Sequence, residues 1–159
     1  MHTKAGEKMR FSEGEMTAGK AGELTAKGYM CSQCVFARFA PELGLDEELA
    51  LRLSASFGGG SFSGGTCGAA IGAHLALALK YGWSEDPTRD QIAKLEEIVK
   101  EFNSRFAGQN GSILCREILG KSFASPEETA EIYARNLMAD CPAVISSACD
   151  ILEEILEEE

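Results

Sequence analysis

The chain has 159 residues, 45% of them apolar and 25% charged, which is typical of a globular protein that buries its own core as one domain. Its formal net charge of −10 argues against non-specific nucleic-acid binding, because such binding needs clustered Lys and Arg side chains. The most apolar stretch, 71–79, is too short to span a bilayer, and no secretory signal is visible. We therefore expect a cytoplasmic protein with neither a nucleic-acid nor a membrane partner.

The predicted elements are helices, because apolar residues recur at helical spacing and strand-like alternation never persists. Residues 1–12 are expected to form a flexible N-terminal arm, and 13–159 a single compact domain of the all-α class. Glycine, proline and acidic residues mark the helix ends. In chain order, the predicted helices occupy 13–30 (weakly, because of its glycines), 31–43, 46–57, 67–81, 86–106 and 113–120, with two more beginning at Ser125-Pro126 and Cys141-Pro142.

A run of glycine and small polar residues, GGGSFSGGT at 58–66, leads into the fourth of these helices. It lacks the Lys of a Walker A loop, and a helix rather than a strand precedes it, so it does not predict a nucleotide site. We expect it instead to shape a site that something approaches closely. The glycines assigned to this role are Gly58, Gly59, Gly60, Gly64, Gly65 and Gly68.

Cys67 lies where the glycine run meets the apolar helix. The unpaired N–H groups and the positive dipole end at a helix start favour a thiolate over a thiol, so Cys67 is the expected reactive sulfur. Cys141 also begins a predicted helix, beside Pro142. Cysteines of cytosolic proteins more often bind metals or perform redox chemistry than form lasting disulfides. The six cysteines of this chain therefore point to sulfur chemistry.

The sequence gives weaker evidence for the other cysteines and for His74 as residues of a metal or redox site. Cys31 and Cys34 form a lone C-x-x-C, without the second pair of a zinc ribbon or the βαβ context of thioredoxin. Cys149 is expected to be a buried apolar residue. His74 lies two helical turns after Cys67 on the same face and could serve the same metal or proton relay. Two turns span ~10 Å, so a core histidine bonded to a backbone carbonyl is favoured.

Five motifs in order resemble those of the C-GCAxxG-C-C family of redox-active proteins: Cys-x-Gln at 31–33, FGGG at 57–60, TCGAAIG at 66–72, GSxxCRE at 111–117 and Cys-Pro at 141–142. The resemblance covers about 15–156. It implies that the functional cysteines are Cys31, Cys67, Cys115 and Cys141, assembled from four helices, and that Cys34 and Cys149 are additional.

Four gathered thiolates repel one another unless a cation or a covalent bond neutralises them. An iron–sulfur cluster such as [2Fe–2S] would use the four family cysteines as ligands. Two reversible disulfides would instead form a relay in which Cys67 attacks. Structural zinc, with Cys34 or His74 as further candidate ligands, would give no redox function. A plain helical interaction module with buried cysteines is the fourth alternative.

The cluster, relay and zinc alternatives all require the functional cysteines to lie close together. We expect at least three of the four family sulfurs to lie close enough to share a metal or exchange disulfides, with Cys34 near Cys31 and Cys149 apart. No acid/base pair stands out among the carboxylates, so the sequence leaves open whether the protein is an enzyme. A redox partner protein is expected, and a homodimer is an open alternative.

Overall fold

The computed structural model describes residues 11–158, and this range contains eight α-helices and no strand apart from one isolated bridge between Thr66 and Leu114. The prediction of an all-α fold is confirmed. The helices are α1 (Ala18–Ala26), α2 (Cys31–Phe39), α3 (Glu47–Ser54), α4 (Gly68–Tyr81), α5 (Arg89–Asn110), α6 (Cys115–Leu119), α7 (Pro126–Ala134) and α8 (Cys141–Glu158). Within the described residues, no helix is both long and apolar enough to cross a membrane.

Side-chain caps and prolines set several helix ends that differ from the predicted ones. Helix α5 begins at Arg89 rather than at 86, because Thr88 and Gln91 form a reciprocal cap with each other's backbone N–H groups. Helix α2 ends at Phe39, and a separate single turn at Pro41–Leu43 follows, since Pro41 has no N–H to continue the helix. The weak helix predicted over 13–30 is shortened to α1, which Thr17 caps.

Helix α4 lies at the centre of the molecule, packed against α2, α5 and α8. Small residues let α2 approach it: a Cβ at Gly72 would come within 2.7 Å of the Ser32 carbonyl oxygen. Phe102 of α5 and Ile145 of α8 are fully buried against this centre. The body of α4 is therefore packed against three helices, and Cys67 lies immediately before this central helix.

The predicted arm at 1–12 falls mostly on residues 1–10, which lie outside the described residues. Its residue Phe11 is instead part of the core, at 1% exposure. The Phe11 N–H donates to the Glu47 carboxylate over 3.0 Å, and its ring meets Tyr29 edge-on at 5.0 Å. The domain is thus closed on this side by a residue that precedes α1.

Candidate functional site

Four helices of the fold begin at a cysteine. Cys31, Cys115 and Cys141 are the first residues of α2, α6 and α8, and Cys67 is the residue that immediately precedes α4. All four line one cavity of about 660 Å³. The structure thus brings the four family cysteines to one place, each at the positive end of a helix.

Two backbone hydrogen bonds join the Cys67 and Cys115 segments. The Cys67 N–H donates to the Ile113 carbonyl over 2.6 Å, and the Cys115 N–H donates to the Gly65 carbonyl over 2.7 Å. The Arg116 guanidinium adds a bond to the Gly64 carbonyl at 3.1 Å. This short antiparallel pairing fixes the two helix starts side by side.

Gly68 allows Cys31 to reach Cys67. A Cβ on Gly68 would overlap the Cys31 sulfur and would lie 2.7 Å from the Phe57 carbonyl oxygen. Because this space is free, the Cys31 thiol hydrogen-bonds to the Cys67 sulfur. Cys31 and Cys67 are therefore the pair in which each thiol is the largest influence on the other's pKa.

The glycine run forms a left-handed turn beside the cavity. Four consecutive residues have positive φ: 62° at Gly59, 63° at Gly60, 58° at Ser61 and 57° at Phe62. For the two non-glycine residues this costs roughly 1–2 kcal/mol each, which the surrounding contacts must offset. One such contact is the Gly65 N–H, which donates to the Gly60 carbonyl over 3.1 Å.

The predicted loop glycines divide into two groups by their position. Gly58, Gly59 and Gly68 line the cavity itself. The other three, Gly60, Gly64 and Gly65, do not line it but permit the turn: a Cβ at Gly60 would overlap the Gly65 backbone, and one at Gly64 would overlap the Ser122 side chain.

Cys67 is the acidic thiol of the site. The hydrogen bond from the Cys31 thiol, helped by the N–H groups of Ala69 and Ala70, outweighs the effect of burial and lowers the pKa of Cys67 to about 7. Donating that hydrogen bond, together with burial, raises the pKa of Cys31 well above its ordinary value. Burial first and the neighbouring Cys67 second raise the pKa of Cys115 to about 12 and that of Cys141 to about 11. Near neutral pH Cys67 is therefore about half ionised, while Cys31, Cys115 and Cys141 remain thiols.

Cys34, Cys149 and His74 do not line the cavity. Cys34 lies on the face of α2 that packs into the core, so burial raises its pKa to about 12. Cys149 is 3% exposed, and burial raises its pKa as well. The His74 Nε2 lies 2.6 Å from the Asn103 Oδ1, so His74 is bonded to a side-chain amide rather than to the backbone carbonyl expected, and burial lowers its pKa.

The arrangement of the thiols also bears on metal binding. All six cysteines are free thiols, and within residues 11–158 no three His, Cys, Asp or Glu side chains come close enough together to hold a metal ion. The expectation that three sulfurs could share a metal is therefore not met in this conformation. The four cysteines line the same cavity, but no three of their sulfurs are gathered at one point.

Aromatic and thioether side chains of the cavity were not identified from the sequence. Tyr29 and Met30 precede Cys31, and Phe62 interrupts the glycine run, so their positions beside the motifs are a signal that could have been used. The remaining side chains have no such signal, since they come from the segment between α6 and α8. The residues of this kind that line the cavity are Tyr29, Met30, Phe62, Phe123, Tyr133 and Met138.

Comparison with known families agrees with the motif analysis. The family model named C_GCAxxG_C_C, described as "Putative redox-active protein", matches residues 29–155, which is more than half of the chain. The chain belongs to this C-GCAxxG-C-C family. All four cavity cysteines lie within the matched range, whereas α1 precedes it. No curated protein and no solved structure matches the chain.

Proposed function

We propose that this C-GCAxxG-C-C protein is a two-electron thiol/disulfide carrier in which Cys67 is the attacking thiolate and Cys31 completes the disulfide. The observation that supports this most directly is the position of the Cys31 sulfur against Gly68, the residue after Cys67, where the Cys31 thiol lowers the pKa of Cys67 to about 7. An attacking thiol with a pKa near the ambient pH combines a large thiolate fraction with good nucleophilicity.

The reaction with a disulfide, R–S–S–R, proceeds in two displacements. The Cys67 thiolate attacks one sulfur, the S–S bond of the substrate breaks, and one RS⁻ leaves. A mixed disulfide between Cys67 and the other RS group remains. The Cys31 thiol then loses its proton and attacks the Cys67 sulfur, which expels the second RS⁻. The protein loses two electrons to the substrate disulfide. The Cys31 proton ends on one RS⁻ group, and the other RS⁻ takes a proton from the solvent at a pH below its pKa.

Cys115 and Cys141 would form a second dithiol for the same relay. The pairing of residues 65–67 with 113–115 keeps Cys115 beside Cys67, so a disulfide on Cys67 can pass onward by the same exchange. The electrons would come from or go to a redox partner protein in the cytoplasm, where thiols stay reduced. A homodimer is compatible with this function but is not required by it.

An iron–sulfur cluster, such as [2Fe–2S], is the second candidate. It is favoured by the meeting of four family cysteines at one cavity, and Cys31, Cys67, Cys115 and Cys141 would hold it. Bound there, it would supply one-electron transfer. The present spacing does not suit it, because no three ligands are gathered. The helix starts would have to move inward, as they would for structural zinc.

One preparation distinguishes these candidates. Protein purified without oxygen is examined for visible absorption, iron, sulfide and zinc, and then treated with oxidised dithiothreitol. The relay predicts colourless metal-free protein that gains a Cys31–Cys67 disulfide, identified by peptide mass. Replacing Cys67→Ser should abolish this disulfide, whereas the control Cys149→Ala should keep it. Stoichiometric iron and sulfide that disappear in Cys67→Ser would establish the cluster instead.

A further inference from the structure

The cavity beside the four cysteines is larger than thiol exchange requires, and Cys67 is the one lining residue that ionises near neutral pH. Its volume of about 660 Å³ lies in the range of sites for small organic molecules. None of its lining residues is Asp, Glu, Lys, Arg or His. A carboxylate or phosphate group would lose its hydration there, find no cationic side chain and meet the Cys67 thiolate, and an ammonium group would find no carboxylate. The cavity therefore selects an uncharged molecule.

The lining also indicates the shape of that molecule. Phe62 and Tyr133 are 52% and 64% exposed, so they stand at the mouth, and Phe123 meets the Tyr133 ring edge-on at 6.1 Å. The thioethers of Met30 and Met138 lie farther along the wall. Ring faces and polarisable sulfur pack well against a flat conjugated ring.

Polar groups in the wall suit a molecule that gains negative charge on oxygen. Tyr29 and Tyr133, whose side chains carry hydroxyl donors, are among the lining residues. Helices α2 and α8 begin at Cys31 and Cys141, which both line the cavity, so the positive dipole ends of these helices lie at it. Such donors stabilise a developing oxyanion without placing a formal charge in the cavity.

We propose that this cavity binds a small uncharged quinone and that the Cys31–Cys67 pair exchanges two electrons with it, an inference that rests on the proposed thiol/disulfide function. In the forward direction one S–S bond forms. Two S–H bonds break if both cysteines are protonated, and one S–H bond breaks if Cys67 is already a thiolate. The quinone takes the two electrons, and its two oxygens take two protons, one from Cys31 and one from Cys67 or from solvent. The products are the disulfide and the hydroquinone.

Binding is tested first in protein that cannot react. Duroquinone is the probe, because every ring carbon outside the carbonyls carries a methyl group and thiols do not readily add to it. In the Cys31→Ser/Cys67→Ser variant, calorimetric titration should show saturable binding of one duroquinone. Adding Met138→Lys, or Tyr133→Glu at the exposed mouth, should weaken the affinity by about tenfold or more, since each puts a charge in the lining.

The matched control is Leu53→Lys, a charge at a residue that is 55% exposed and outside the cavity, and it should leave the affinity unchanged. Thermal unfolding of each variant checks that the fold is kept, and the two lining variants are independent of each other. No saturable binding in the double-serine protein, or equal affinity in the lining and control variants, would overturn the inference.

Electron exchange is tested with reduced wild-type protein under anaerobic conditions. One duroquinone should be reduced for each Cys31–Cys67 disulfide formed, and glutathione disulfide, which is charged, should react about tenfold or more slowly at equal concentration. If oxidised dithiothreitol forms the disulfide but duroquinone neither binds nor reacts, the inference fails and the proposed function stands. If duroquinone binds but no oxidant forms the disulfide, the proposed function fails, and electron exchange with the quinone fails with it.

Discussion

The substitution Gly68→Ala tests the origin of the Cys67 acidity. Its added Cβ would overlap the Cys31 sulfur and press on the Phe57 carbonyl oxygen at 2.7 Å. Because the backbone oxygen cannot easily move, the Cys31 thiol must yield and its hydrogen bond to Cys67 breaks. Overpacking of this kind costs roughly 1–3 kcal/mol of stability. The pKa of Cys67 should then rise from about 7 towards or above the ordinary value of about 8.5.

The expected effect on reactivity is smaller than the change in thiolate fraction. At pH 7 that fraction falls from about one half to about 3%, roughly fifteenfold. A more basic thiolate is also more nucleophilic, by about fivefold for this shift, so the alkylation rate at pH 7 falls by only about threefold. The pH at which the rate is half-maximal is therefore the sharper measurement. Iodoacetamide labelling of the Cys67 peptide, followed by mass spectrometry from pH 5 to 10, gives this midpoint.

Two controls accompany the measurement. Gly108→Ala adds the same methyl group within α5, where no atom lies within 4 Å of it, and should leave the midpoint near 7. Cys31→Ala removes the hydrogen bond without any clash and should raise the midpoint as Gly68→Ala does. A midpoint that stays near 7 in both Gly68→Ala and Cys31→Ala would refute the role assigned to Cys31.

Three further predictions concern the protein as a whole. The free energy of unfolding of the reduced protein, measured by urea titration, should fall above pH ~8.5. Burial keeps the pKa of Cys34 and of Cys149 above the unfolded value, so each of them lowers the free energy of unfolding by about 1.4 kcal/mol per pH unit. Cys67 acts with the opposite sign, since a lowered pKa stabilises the fold above the unfolded pKa and loses this effect as pH falls through about 7. Arg116→Ala should cost about 1 kcal/mol through the lost bond to the Gly64 carbonyl, whereas Arg135→Ala, which breaks an exposed ion pair, should cost about 0.5 kcal/mol or less. His74→Gln should leave the Cys67 alkylation midpoint unchanged, because His74 is bonded to Asn103 and does not line the cavity.

Local signals account for most of what the sequence predicted correctly. Asp46 and Ser125 cap α3 and α7, as their position before helical patterns indicates. Cys67 was expected in the first turn of its helix and is instead the residue that immediately precedes α4. The start of α5 was misplaced because Asp86-Pro87 resembles a helix start, yet Thr88 forms the cap. The sequence alone does not show which of two adjacent helix-start patterns is used, because that depends on how the helix packs against the rest of the chain.

Features that depend on distant parts of the chain could not be predicted. The bridge between Thr66 and Leu114 joins two loops with no local strand pattern, and it is what places Cys115 beside Cys67. The left-handed conformation of Ser61 and Phe62 runs against the preference of L-residues, so only the closed turn around them explains it. Cys34 was expected near the site because it follows Cys31 by one turn, but the packed face of α2 carries it into the core.

The charge balance of the site links its geometry to its chemistry. No cationic side chain lines the cavity, so the positive helix ends and the Cys31 hydrogen bond stabilise a single thiolate, and the other three sulfurs keep their protons. A divalent metal bound by all four cysteines at pH 8 would have to displace those three protons into the solvent. A Cys31–Cys67 disulfide formed with oxidised dithiothreitol instead passes the Cys31 proton to a product thiol and takes up about one more proton from the solvent. The number of protons released or taken up can be measured by titration in weak buffer while zinc or oxidised dithiothreitol is added. It therefore distinguishes metal binding from disulfide formation at this site. Release of three protons with tight zinc binding would mean that the helix starts close around a metal, and the disulfide relay would then lose its main support.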